Sequence, residues 1–246
     1  MIGKGREGVV RAGALLRGTS APVTYALIAV CCVVFVLSPA SGLNPSYGTG
    51  DRLLAAQSDY FARWGVVPAD LFAGSWRTAL TPATALFVHG SWLHLLGNML
   101  FLHVFGTMTE ERMGRLPYLL FYLVTGYLAL FGYAAAHAGS EQTLVGASGA
   151  ISAVLGAFLY LFPDARVTSL FPFLLFLPLR FPAWVVLPFW VALQWAAAGQ
   201  AGQGPGVAYL AHLIGFSTGF LYAWVRYRRA RVRATHTTAT EGDSQP

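Results

Sequence analysis

The sequence predicts an all-α membrane protein, a bundle of six transmembrane helices with both termini on the cytoplasmic side, and three observations carry that reading. Of the 246 residues, 56 % are hydrophobic and only 11 % charged, against about 25 % charged in soluble domains; mean hydropathy is +0.56. Apolar windows near the ~20 residues of a spanning helix recur six times, over 22–40, 91–108, 117–137, 147–163, 175–198 and 207–225. If those spans alternate in direction, all of the 16 basic residues except Arg52, Arg63 and Arg77 fall on one side, the side expected to be cytoplasmic. Helices are the natural element, because backbone facing lipid must satisfy its own hydrogen bonds.

Residues 1–21 form a basic segment with Lys4, Arg6, Arg11 and Arg17. Followed by an apolar stretch and Ser38-Pro39-Ala40, it mimics a cleavable signal peptide. The stretch is longer than a usual signal core, so it is expected to stay as the first span. Cys31 and Cys32 lie inside it as packing residues, adjacent and without metal-ligand company. The long outer connection, 41–86, carries Trp64 and Trp76, which suit a membrane interface; a structured loop of short helices is expected there. Pro163, Pro178, Pro182 and Pro188 punctuate the later spans and blur the limits of the fourth and fifth. Residues 22–227 thus make one six-span domain. Residues 228–246, basic and then polar without periodicity, are expected to be a disordered cytoplasmic tail. The net charge of +6 is accounted for by these flanks, so the expected charged partners are anionic membrane lipids and not nucleic acid.

Spans two, four and six run from outside to inside, and each carries its unusual polar residues early. Ser148 opens span four, His94 and Asn98 lie near the start of span two, and His212 near the start of span six. All sit at a similar shallow depth, roughly 5 to 10 Å in. Intramembrane polar groups are functional candidates. His94 and Asn98, four apart, share a helix face. His103 is rotated away as a packing histidine, while His137 and His236 fall in an outer loop and the tail. Gly215 and Gly219 have the spacing that lets another helix approach closely, and Gly149, Ala153 and Gly156 form a matching stripe in span four. That contact would carry His212 toward Ser148; packing alone is the simpler reading of the glycines.

A hydroxyl needs a base to act as a nucleophile, and His212 is the well-placed candidate. No carboxylate lies at this depth in spans two, four or six: Glu110, Glu111 and Asp164 are on the inner side and Glu141 is in an outer loop. The pattern therefore suggests a Ser/His dyad and not a triad. Ala150 breaks the G-x-S-x-G elbow and no strand precedes it, which excludes a soluble α/β-hydrolase. No His/Cys/Asp/Glu cluster has ligand spacing, so neither metal nor organic cofactor is expected.

Four stretches then resemble one family, the rhomboid intramembrane serine proteases: Trp76-Arg77; HGSWLHLLGN from His89 through His94 to Asn98; GASG around Ser148; and AHLIGFSTG with His212, Gly215 and Gly219. The resemblance covers about residues 22–227. It implies that Ser148 attacks the scissile carbonyl with His212 as base, and that the Ser148 backbone N–H with the His94 and Asn98 side chains forms the oxyanion hole. His89 would be an auxiliary residue and Trp76-Arg77 a structural loop motif. The implied substrates are transmembrane proteins whose spans unwind near the outer leaflet. Loops 138–146 and 199–207, rich in Gly, Ala, Gln and Ser, would gate the cavity. One departure matters: where many members place an aromatic ring against the histidine, one turn after the serine, this chain has Ser152. Tyr209 is one candidate to help orient His212 instead. A non-catalytic rhomboid-like chaperone or scaffold that binds transmembrane helices is the alternative function, and a small transporter a more distant one. The expected location is a cell membrane, with a bacterial plasma membrane favoured by the lack of a transit-like presequence.

Overall fold

The computed structural model describes residues 21–171, 177–200 and 208–242. The basic segment 1–20, most of the loop at 199–207 and the last four residues lie outside them.

Helix α1, Pro22–Leu37, starts with proline at its first position, where the missing N–H costs nothing. It has no capping side chain of its own. Its next two N–H groups donate instead to the carboxylate of Glu110, at 3.0 Å from Val23 and 2.7 Å from Thr24. A buried anion thus meets the positive end of a helix across 86 residues of sequence. The outer connection folds as a chain of short helices, α2 Asp51–Trp64, α3 Pro68–Leu71, α4 Trp76–Ala79 and α5 Thr81–Ala85. Helix α6, Trp92–Phe101, passes through a π-helical turn at Leu102–Gly106 into α7, Thr107–Met113. Gly114 breaks the rod, and α8 follows over Arg115–Ala136.

Helix α9, Ser148–Leu161, is the centre of the molecule, buried continuously from Gly149 to Phe158. After it the chain departs from the all-α expectation. An antiparallel hairpin, β1 Arg166–Phe171 and β2 Leu177–Pro182, pairs Arg166 with Pro182 through Phe171 with Leu177. Span five was expected from residue 175, but helix α10 begins only at Ala183 and ends at Gln200. Pro178 and Pro182 explain the shift, because each lacks the N–H a helix interior needs. The last helix, α11, runs Tyr209–Gly242, through the basic run and into the stretch expected to be disordered. Alanine and arginine, both good helix formers, are frequent just past the apolar part.

Helix α9 packs most extensively on α11 and then on α8. Backbones meet at the α9–α11 seam: a methyl added to Gly215 would run into the Gly149 carbonyl, one on Gly219 into the Ala153 carbonyl, and one on Gly156 into the Phe216 carbonyl. Gly149 itself faces α8, where a methyl would sit 2.9 Å from Ala129 Cβ. The outside of the bundle carries large exposed apolar residues, among them Val33, Leu96, Leu120, Trp195 and Leu221, a surface suited to hydrocarbon and not to water. By length and composition, α8 is the one helix among the described residues able to cross a membrane by itself; α1, α9 and Ala183–Ala198 of α10 are apolar but shorter.

Two substitutions test this packing. Gly215→Val wedges the seam apart and is expected to cost about 1–3 kcal/mol or more, read as a lower thermal midpoint in detergent. Glu110→Gln puts an amide donor against a donating backbone and should cost about 1–3 kcal/mol in the same measurement. Unchanged midpoints would contradict the close seam and the shared helix cap respectively.

Candidate active site

Ser148 is the first residue of α9, so its backbone N–H belongs to the helix terminus that has no intrahelical partner. The segment leading to it is tied down by backbone hydrogen bonds. Val66 and Leu144 exchange backbone hydrogen bonds of 2.9 and 2.8 Å, Ala69 N–H donates to the Ser140 carbonyl, and Gly146 N–H donates to the Ala85 carbonyl at 2.9 Å. The loop 138–146, expected to be a mobile gate, is therefore tied by backbone hydrogen bonds to Val66, Ala69 and Ala85 of the 41–86 connection. Gly146 has φ +124°, a value that side chains other than glycine's rarely allow. A methyl there would lie 2.8 Å from both Cε1 and Nε2 of His94 and 3.9 Å from Ser148 Oγ. The ring of His94 thus occupies the space a side chain at 146 would need.

His212, on the first turn of α11, is buried, with Nε2 2.8 Å from Ser148 Oγ and Nδ1 2.7 Å from Gln194 Oε1 of α10. With the amide oxygen turned to Nδ1, this arrangement matches the tautomer that carries its proton on Nδ1 and turns the Nε2 lone pair to the serine hydroxyl. His94 is held in the opposite tautomer. Ser91 caps α6 by accepting from the His94 N–H at 3.1 Å, and the Gly90 N–H donates to His94 Nδ1 at 3.3 Å. A backbone N–H only donates, so the proton of His94 sits on Nε2. One histidine is set up as an acceptor and the other as a donor.

Asn98, buried one turn after His94, donates from Nδ2 to the His94 carbonyl at 2.9 Å. The second proton of that amide is left over for another acceptor. Ser148, His212, His94 and Asn98 all line one cavity of about 640 Å³. His89 does not line it. It is 1 % exposed, lies edge-on behind His94 with ring centroids 5.2 Å apart, and neither of its nitrogens makes a well-formed hydrogen bond. Burial first, and His94 second, push its pKa down to about 4 against a weaker upward pull from the Phe87 backbone, so it is a neutral ring bracing a neutral ring. His103 faces Tyr25, and His137 stacks on Tyr133; both are outside the cavity. Among the described residues, no group of three His, Cys, Asp or Glu side chains could hold a metal ion.

Two contributors were not singled out in the sequence, Gln194 and Trp190, and Gly146 entered only as the first residue of GASG, without a role. Trp190 stacks near His212 at 6.0 Å and 29°, and Tyr209 meets the ring edge-on at 6.4 Å. Gln194 had a readable signal, since it is a lone amide in the apolar run AWVVLPFWVALQWAAAG. A span running from inside to outside places its outer-depth residues late, where a search of early turns passes them by.

Residues 75–229 match the family model of the Rhomboid domain. The chain is 37 % identical over 142 residues to "Rhomboid protein 1, mitochondrial" of Saccharomyces cerevisiae, covering 56 % of this chain and 39 % of that protein. It is 32 % identical over 143 residues to "RHOMBOID-like protein 1" of Arabidopsis thaliana, covering 58 % and 33 %. A shorter stretch of 43 residues is 46 % identical to "Rhomboid-like protein 11, chloroplastic" of Arabidopsis thaliana, covering 18 % and 15 %. The matched region spans at most 39 % of the length of these relatives.

Gly146→Ala is expected to press on the His94 ring and strain the backbone, at about 1–3 kcal/mol. Thermal unfolding in detergent reads the cost directly, and a wild-type midpoint would contradict the placement of Gly146 against His94.

Proposed function

The chain belongs to the rhomboid family, and on that premise we propose that it is an intramembrane serine endopeptidase, hydrolysing peptide bonds in or near transmembrane segments of other membrane proteins. The observation that carries the reading is the 2.8 Å contact between Ser148 Oγ and Nε2 of His212, on the wall of a cavity shared with His94 and Asn98. A protein that only binds membrane helices has no use for a hydroxyl held against a basic nitrogen.

In the proposed reaction a substrate span unwinds at the outer end of the bundle and its peptide carbonyl enters the cavity. Ser148 Oγ attacks the carbonyl carbon as His212 Nε2 accepts its proton, and His212 then delivers that proton to the leaving amine. A water, activated by the same nitrogen, hydrolyses the acyl-enzyme and restores Ser148. Negative charge develops on the carbonyl oxygen in both halves. The Ser148 backbone N–H, the Nε2–H of His94 and the free amide proton of Asn98 are the donors assigned to it, and each such donor typically contributes about 10² to 10³ in rate.

The membrane arrangement belongs to the same proposal. We read α1, the α6–α7 rod, α8, α9, α10 and the first part of α11 as six spans with both ends on the cytoplasmic side. The exposed apolar surface of the bundle and the one-sided distribution of arginine support it. Two relatives are named mitochondrial and chloroplastic, so a bacterial plasma membrane gains no support from them, and the proposal is confined to a membrane.

The test is cleavage of a panel of single-span membrane proteins by the purified chain in liposomes, with cut sites mapped by mass spectrometry. Ser148→Ala and His212→Ala are expected to abolish cleavage with the fold retained, while Asn98→Ala slows it by about 10²-fold without abolishing it. Cleavage by Ser148→Ala at the wild-type rate would contradict the mechanism.

A further inference from the structure

We propose that Gln194 is a positioning residue for His212, fixing both the direction of its ring and the nitrogen that carries the proton; the inference rests on the Ser148/His212 reading above. Ser152 opens the question. It lies one turn after Ser148, is 2 % exposed, and turns its hydroxyl back to the Ser148 carbonyl at 2.7 Å. It offers His212 neither a ring face nor a hydrogen bond, so the orientation has to come from another helix.

Helix α10 supplies it twice. Trp190 and Gln194 are four residues apart and share one face. The indole lies nearly parallel to the imidazole at 6.0 Å, and the amide oxygen reaches Nδ1 at 2.7 Å. With Tyr209 edge-on, the two aromatic rings restrict tilt, but neither distinguishes the two ring nitrogens. Gln194 does. A neutral imidazole in an apolar setting populates both tautomers, and only the Nδ1–H form turns a lone pair toward Ser148. With Oε1, and not the amide NH2, turned toward Nδ1, the side chain pairs with that form.

The amide also suits the reaction that follows. When His212 takes the serine proton it becomes an imidazolium, and its Nδ1–H bond to Oε1 becomes charge-assisted and stronger. A carboxylate would do the same at the cost of burying a second charge among membrane helices. Gln194 therefore performs the orienting half of a triad acid's task without being one.

The experiment uses the full chain in detergent and a fluorophosphonate probe, comparing wild type, Gln194→Leu, Gln194→Glu and Ser148→Ala. Gln194→Leu is expected to lower the maximal labelling rate by about 10²-fold, with the half-saturating probe concentration within about twofold and the chain still folded at the labelling temperature. Gln194→Glu, which keeps an acceptor oxygen, should recover labelling to within about threefold of wild type. Histidine-selective ¹⁵N spectra, with His212 assigned by its loss in His212→Ala, should report a protonated Nδ1 in wild type and mixed tautomers in Gln194→Leu. Wild-type labelling by Gln194→Leu beside an inert Ser148→Ala, or an unchanged His212 spectrum, would overturn the positioning role and leave the protease reading standing. Labelling of Ser148→Ala as fast as wild type, or none in wild type, would instead overturn the protease reading, and the ring spectrum would still decide whether Gln194 sets the tautomer.

Discussion

The site depends on how closely α9 and α11 approach. Ser148 and His212 are 64 residues apart in sequence, on different helices, yet their polar atoms are 2.8 Å apart. A hydrogen bond tolerates only a few tenths of an ångström of stretch before it weakens steeply, so the helix separation has to be set by something less compliant than side chains. Here it is set by backbone against backbone, with Gly215 on the Gly149 carbonyl and Gly219 on that of Ala153. In a lipid setting, where apolar side chains gain little by leaving the solvent, such close van der Waals contact is a principal source of helix association. The same residues therefore hold the bundle together and hold Ser148 and His212 at bonding distance.

Around that seam, the polar groups are disposed by what their neighbours can and cannot do. The Gly90 N–H donates to His94 Nδ1 and Gln194 turns Oε1 to His212 Nδ1, contacts that match opposite tautomers of the two rings. Ser148 bonds to the His212 ring and shares one cavity with His94 and Asn98. None of this requires a charged side chain in the cavity. That economy fits a bundle whose outer surface is apolar and in which an isolated charge would be costly. The one buried carboxylate prominent in the fold, Glu110, is at the start of α1, where two backbone N–H groups meet it.

Much of this was legible in the sequence because the environment makes polar residues conspicuous. Ser148, His94, Asn98 and His212 stand out as exceptions within apolar runs, and the glycine spacing of 215 and 219 suggests which helices could meet. The limits of the reading have physical causes. Strand β2, Leu177–Pro182, occupies a stretch whose hydropathy looks like the start of a span, and Pro178 and Pro182, which lack an N–H, argue against a helix there. The loop 138–146 looks mobile by composition, since its hydrogen bonds to Val66, Ala69 and Ala85 join segments far apart in the chain. Gln194 is as exceptional in its span as the others are in theirs. Its partner nitrogen, however, can be known only once α10 and α11 are seen side by side.

The measurement that bears most directly on the central claim is the location of a covalent adduct. Purified chain would be saturated with a fluorophosphonate and its modified peptides identified by mass spectrometry. The account predicts a single phosphonyl group on Ser148, absent when His212 is replaced. An adduct distributed over other serines, or one on Ser148 that forms equally well without His212, would contradict a hydroxyl activated across the α9–α11 seam.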